Sequence, residues 1–219
     1  MGLLGAGYAT LIAKIVMAFL MDLSVRRVSL FARYHQQAVN FKASWNEMKK
    51  IILQGLPIGG QMVVEVISFS AGAIMMGWIG TSAMAAHQIV MTLVSFTYMI
   101  SSGLASATTI KVSIFRGQNR FTDLRHSAWA STHMVVVFML FTGIVFIIFR
   151  RFIPTLFIPD LEVIEVAAQL LLVGGLFQLF DGLQVVSLGI LRGMEDFIFP
   201  ALTAAIAYIL VSLPIGYVF

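Results

Sequence analysis

The 219-residue sequence predicts an all-α membrane protein with six transmembrane helices. Three observations predict it. First, 59% of the residues are hydrophobic and only 11% are charged. A soluble domain is about 45–50% apolar and about 25% charged, so this chain could not cover a water-facing surface with polar groups. Second, six apolar runs reach the roughly 20 residues that a helix needs to cross a bilayer. They are too long for strands, and a bilayer offers no partners to backbone amides, so helices are the expected solution. Third, lysine and arginine concentrate on alternate connections between the runs.

The first span runs from Gly2 to Val25, with Lys14 inside it. Residues 26–50 carry Arg26, Arg27, Arg33, Lys42, Lys49 and Lys50. That stretch is too charged to span and reads as a basic cytoplasmic connector with an interfacial helix. The second span is Ile51 to Ile79 and the third Ala83 to Ile110, followed by Lys111, Arg116, Arg120 and Arg125. The fourth is Ala128 to Phe149, followed by Arg150 and Arg151 beside Asp160, Glu162 and Glu165. The fifth is Val163 to Leu191, with Arg192 in the link behind it, and the sixth is Phe197 to Phe219. Eleven of the 14 basic residues thus share one face. The excess of Lys and Arg marks that face as cytoplasmic and puts Met1 outside. Trp45, Trp78 and Trp129 fall near expected helix ends, where interfacial indoles are favoured. Both ends of the chain are abrupt, and the sequence reads as a piece of a longer protein.

Composition and motifs exclude several functions. There is no cysteine, hence no disulfide framework and no thiolate chemistry. A net charge of +4 is small for a nucleic-acid binder. No glycine-rich phosphate loop, His-Glu-x-x-His or Gly-x-Ser-x-Gly motif occurs, and the chain does not read as an enzyme.

Of ten acidic residues, only Glu65 and Asp181 lie well inside apolar runs. A charge at the bilayer centre costs about 2.5–3.5 kcal/mol on insertion scales, so such residues are functional candidates. Glu65 is about 14 residues, or roughly 21 Å, from either end of its span. Asp181 is about 10 residues, or roughly 15 Å, from the cytoplasmic end of the fifth. A shared site at similar depth is therefore possible. Two carboxylates in a low-dielectric pocket do not both stay ionised without cations. Each would take a proton, or the two would share a metal cation such as Na⁺. The alternative is that they join helices by hydrogen bonds alone. Around them, Gln61 and Ser68 share the face of Glu65, and Gln178 and Gln184 flank Asp181. An intramembrane aspartyl protease would also need two carboxylates, but Asp181 follows Phe180, not a glycine.

Pro57, in GLPIGG, removes a backbone donor and is a candidate bending point of the second span. Pro214 has the same property in the sixth. In the third span Gln88, Thr92, Ser95, Met99, Ser102, Ser106 and Thr109 recur at alternating spacings of four and three. Such a small polar face serves helix packing, with cavity lining as the alternative. The 13 methionines and 18 phenylalanines face lipid or core, or line an adaptable pocket.

The stretches QGLPIGGQMVVEVISF, SAMAAHQIV, SSGLASATTIKVS and LFQLFDGLQVVSLGILRGMED resemble the multidrug and toxic compound extrusion (MATE) family. Their order and spacing are similar to the first five helices of its C-terminal lobe. GAGYATLIAKIVMAFLM resembles the last helix of the N-terminal lobe. The resemblance implies part of a two-lobe, twelve-helix transporter: residues 1–25 as the last N-lobe helix, 26–50 as the connector, and 51–219 as a partial C-lobe lacking its final helix. It implies export of small organic, mainly cationic drugs or toxins by alternating access, driven by Na⁺ or H⁺, with no other cofactor. It also implies a multi-pass protein of a prokaryotic inner membrane whose partners are the bilayer and the remaining N-lobe helices. Glu65 and Asp181 match the family's two acidic C-lobe residues. Some members carry a tyrosine one turn before the aspartate; Phe177 stands here and supplies no oxygen, leaving Gln61, Gln178 or Gln184 to replace it. A flippase for lipid-linked or polysaccharide substrates, from the same superfamily, is the alternative, as is a truncated product without transport activity.

Overall fold

The computed structural model describes residues 2–27 and 44–218. All regular structure among them is helical. Helix α1 is Gly2–Arg27, α2 Trp45–Ile79, α3 Thr81–Gly117 and α4 Phe121–Ile148. A single turn at Phe152–Thr155 leads to α5, Leu161–Gly193. The last span begins as α6, Ile198–Ala205, widens into a π-helix over Ile206–Ser212, and ends as α7, Leu213–Val218. Among the described residues, six stretches are long and apolar enough to cross a membrane. The interfacial helix expected within the connector, with Arg33 and Lys42, lies outside the described residues.

Several helices outrun their apolar cores. The 37 residues of α3 make about 55 Å at 1.5 Å per residue, against about 30 Å of hydrocarbon. Helix hydrogen bonding continues into the polar ends, which hydropathy does not register. Trp45 opens α2 and Trp78 is its penultimate residue, whereas Trp129 sits about two turns inside α4.

The chain divides into two units, Met1–Ile52 and Leu53–Phe219. The first holds α1 and the opening turns of α2. Its ion pairs, Arg26–Asp22 and Lys50–Glu47, both 2.9 Å, lie within single helices and are exposed. Such pairs contribute little.

In the second unit α5 is the central helix, packed against α3 and α4. Between apolar helices in lipid there is little hydrophobic driving force, so close backbone approach and polar contacts carry association. The sequence meets that demand with small residues. A Cβ on Gly189 of α5 would lie 2.6 Å from the Ala105 carbonyl oxygen of α3. The Thr109 hydroxyl donates to the Gly189 carbonyl oxygen at 2.8 Å. On the other side, a Cβ on Gly143 of α4 would meet the Gly175 carbonyl oxygen at 2.6 Å. Gly80, at φ 152°, supplies a backbone geometry that side-chain-bearing residues avoid, so α3 can start one residue after α2 ends.

Two apolar clusters fill the gaps. One joins Ala86, Val90 and Val94 of α3 to Phe146 of α4 and Ala167 and Leu171 of α5. The other joins Ala105 to Val135 and Met139 of α4 and to Val185 and Val186 of α5. The buried stripe of α3 therefore includes Thr97, Ser101, Ala105, Thr108 and Val112. It lies beside the polar face expected to pack.

At the far end of α3, Arg116 donates to the Met194 carbonyl oxygen and lies 3.4 Å from the Glu195 carboxylate. It ties α3 to the link behind α5. The π-helix was not foreseen in the sixth span. Pro214 follows it within two residues and has no amide hydrogen for the Leu210 carbonyl. The preceding turns widen to the i→i+5 pattern, as π-bulges do inside α-helices.

Candidate functional site

Three helices of the second unit enclose a cavity of about 500 Å³. Each contributes one stripe at helical spacing. From α2 come Gln61, Glu65 and Phe69; from α3, Ser95, Tyr98, Ser102, Ser106 and Thr109; from α5, Phe177, Asp181 and Arg192. Glu65 and Asp181, on helices more than a hundred residues apart in sequence, line the same space. The charge of Glu65 acts on Asp181.

Asp181 is 5% exposed, and its Oδ2 is buried without a hydrogen-bond partner among the described residues. Glu65 is half-buried. Its Oε1 accepts from the Tyr208 hydroxyl at 3.5 Å. Tyr208 Oη in turn accepts from Gln184 Nε2 at 3.4 Å. Gln61 is 2% exposed and its Oε1 accepts from Arg192 Nη2 at 3.3 Å. Arg192 acts electrostatically on Glu65, while its own Nε is buried and unpartnered among the described residues.

The remaining expected residues are placed elsewhere. Ser68 is buried, and its hydroxyl donates back to the Val64 carbonyl oxygen at 2.9 Å, off the cavity stripe. Gln178 is fully buried and donates from Nε2 to Thr97 Oγ1 at 2.6 Å, binding α5 to α3. Gln184 reaches Glu65 through Tyr208. Pro57 lies within α2, which continues through it without a break. Phe177 forms apolar wall.

Two readings of the sequence change. Arg192 was counted with the cytoplasmic link. It stands in the last turn of α5 and turns its guanidinium to the cavity. Its register carries the signal, because 11 residues after Asp181 is three helical turns on one face. The polar face of α3 lines the cavity through Ser95, Met99, Ser102, Ser106 and Thr109, so the lining alternative holds for that part. Tyr98 and Tyr208 were missed. Tyr98 sits in register with Ser95 and Ser102, whereas the π-helix hides the register of Tyr208.

The donors are hard oxygens: two carboxylates, a tyrosine, serine hydroxyls and an amide. They fit a proton or a small hard cation. Among the described residues no group of three or more His, Cys, Asp or Glu side chains comes together, so a transition-metal centre does not fit. Met62, Met91, Met99, Phe69 and Phe177 supply adaptable apolar wall suited to varied organic molecules.

Comparison with known proteins gives a consistent picture. The MatE family model matches residues 57–218. The chain is 33% identical to a probable multidrug resistance protein NorM of Mesorhizobium japonicum, over 99% of this chain and 47% of the relative. It is 34% identical to the protein of the same description in Agrobacterium fabrum, over 94% and 46%. For that of Pseudomonas putida the figures are 30%, 100% and 48%. The chain spans about half the length of the curated relatives it matches.

Proposed function

Because the chain belongs to the MatE family, we propose that it supplies one lobe's machinery of a cation-coupled antiporter exporting small organic cations. It is a multi-pass integral membrane protein, and its NorM relatives point to the bacterial inner membrane. The observation that carries the functional reading is the convergence of Glu65 and Asp181 on one cavity. Carboxylates so placed are costly in a membrane, and binding a proton or Na⁺ offsets the cost. Binding also removes charge from the cavity, which changes the balance between conformations facing opposite sides.

The cavity wall offers a place for a cationic amphiphile beside the same carboxylates. Coupling then needs no direct contact between ion and substrate: both draw on the negative charge of Glu65 and Asp181, and one leaves as the other arrives. Alternating access by rocking requires two lobes around a central site. The second lobe is proposed to come from sequence corresponding to the rest of the NorM relatives' length. A flippase for anionic lipid-linked saccharides fits less well, since one guanidinium faces two carboxylates.

The test is Glu65→Gln and Asp181→Asn in the full-length protein, with drug efflux and membrane abundance measured together. Each substitution is expected to abolish efflux at unchanged abundance. Normal efflux from both variants would end the coupling reading.

A further inference from the structure

Tyr208 belongs to none of the residues that the cation reading uses, yet it touches one of them. Its hydroxyl stands between Gln184 Nε2 at 3.4 Å and Glu65 Oε1 at 3.5 Å. Its ring lies against Phe69, with centroids 6.2 Å apart. Phe69 is one turn beyond Glu65 on α2 and lines the same cavity. Tyr208 itself sits in the π-helix Ile206–Ser212. Three elements therefore meet at one phenol: α5 through Gln184, the last span through Tyr208, and α2 through Glu65.

We propose that Tyr208 is part of the cation site, positioning the Glu65 carboxylate and offering its own oxygen to the monovalent cation that Glu65 takes. This inference rests on the reading of Glu65 as a cation-coupling residue. A phenol has one donor and two acceptor lone pairs. The donor goes to Glu65 and one lone pair accepts from Gln184, leaving one free for an ion. Both contacts are longer than the roughly 2.7–2.8 Å of a usual O–H···O bond. The hydroxyl stands at the carboxylate without being locked to it, and a cation held between them draws the two together.

The π-helix gives the contact a mechanical consequence. A π turn holds one residue more than an α turn. Conversion to α geometry would rotate the side chains within Ile206–Ser212, Tyr208 among them, relative to the turns before them. That rotation carries the hydroxyl off Glu65. Occupancy of Glu65 and the helical state of the last span are thereby linked through Tyr208. The other charged or titratable groups facing the site are Asp181 and Arg192 from α5 and Tyr98 from α3.

The experiment uses full-length protein in nanodiscs, with 3-fluorotyrosine at position 208 read by fluorine NMR. One arm adds NaCl against choline chloride at fixed pH; the other lowers the pH without Na⁺. The fluorine resonance is expected to move with whichever ion the protein binds, and to stay still in Glu65→Gln. In parallel, Tyr208→Phe keeps the ring on Phe69. It is expected to shift the midpoint for that ion at least threefold, with the thermal midpoint of the variant as the control for folding. If Glu65→Gln abolishes the cation response but the fluorine signal ignores the ion, the inference falls and the coupling reading stands. If the cation response survives Glu65→Gln, both fall. The fluorine measurement needs no destabilising variant, so a poorly folded Tyr208→Phe leaves the inference exposed to refutation.

Discussion

Arg192 Nη2 donates to Gln61 Oε1 at 3.3 Å, which parks a guanidinium one helical turn from Glu65. Arg192 is thus the cavity's own cation. At an effective dielectric of about 20, a unit charge several ångströms away is worth roughly 2 kcal/mol. Arg192→Gln is expected to tighten coupling-ion binding by up to roughly thirtyfold and to slow export, because the ion then leaves less readily. Calorimetric titration with Na⁺ and with acid, beside efflux rates, checks this. Unchanged ion affinity would show that the guanidinium and the carboxylates do not communicate.

Helix packing gives a prediction that owes nothing to ions. Gly143→Ala would drive a Cβ to 2.6 Å from the Gly175 carbonyl oxygen, whereas a Cβ on Gly103 meets nothing within 4 Å. Overpacking costs about 1–3 kcal/mol, while alanine in an open helical position gains up to about 1 kcal/mol over glycine. Gly143→Ala is expected to lower the thermal midpoint in detergent by several degrees. Gly103→Ala should leave it unchanged or raise it. Equal behaviour of the two would contradict the close α4–α5 approach.

What was legible in the sequence follows from what each signal measures. Hydropathy reports transfer into lipid, so the six spans and the two costly carboxylates stood out. It is blind to which neighbour a small polar residue meets. Ser101 and Ser102 are adjacent in sequence, yet Ser101 is buried between helices and Ser102 faces the cavity. No single-helix pattern assigns those two roles. Gln178 and Gln184 looked equivalent around Asp181, three residues to either side, but one binds α3 and the other reaches Tyr208. Tyr208 was invisible for a different reason: the π-helix breaks the 3.6-residue register on which face assignments rest.

Gln178 offers a test of that separation. Its amide bonds Thr97, and Thr97 keeps a bond to the Val94 carbonyl oxygen at 2.8 Å without it. Interhelical hydrogen bonds in membranes average about 0.6 kcal/mol. Gln178→Leu removes both polar atoms of the amide, including the Oε1 that has no partner among the described residues. Its thermal midpoint is expected to stay within a few degrees of wild type, with ion affinity unchanged. A large loss of ion affinity would move Gln178 from helix packing into the site.

A double-mutant cycle on Glu65 and Asp181 tests the shared site itself. Residues far apart add their effects, whereas residues in contact or in one network do not. Both carboxylates line one cavity, and the charge of Glu65 acts on Asp181. Neutralising one removes both a ligand and the repulsion that the other opposes. The residual ion affinity of Glu65→Gln/Asp181→Asn is therefore expected to be close to that of the worse single variant. Two independent sites would instead multiply the two losses. Titrating ion binding in the four proteins, with thermal midpoint and membrane abundance as the control for folding, separates the outcomes. Multiplicative losses would mean that the cavity brings the two carboxylates together without making them one site.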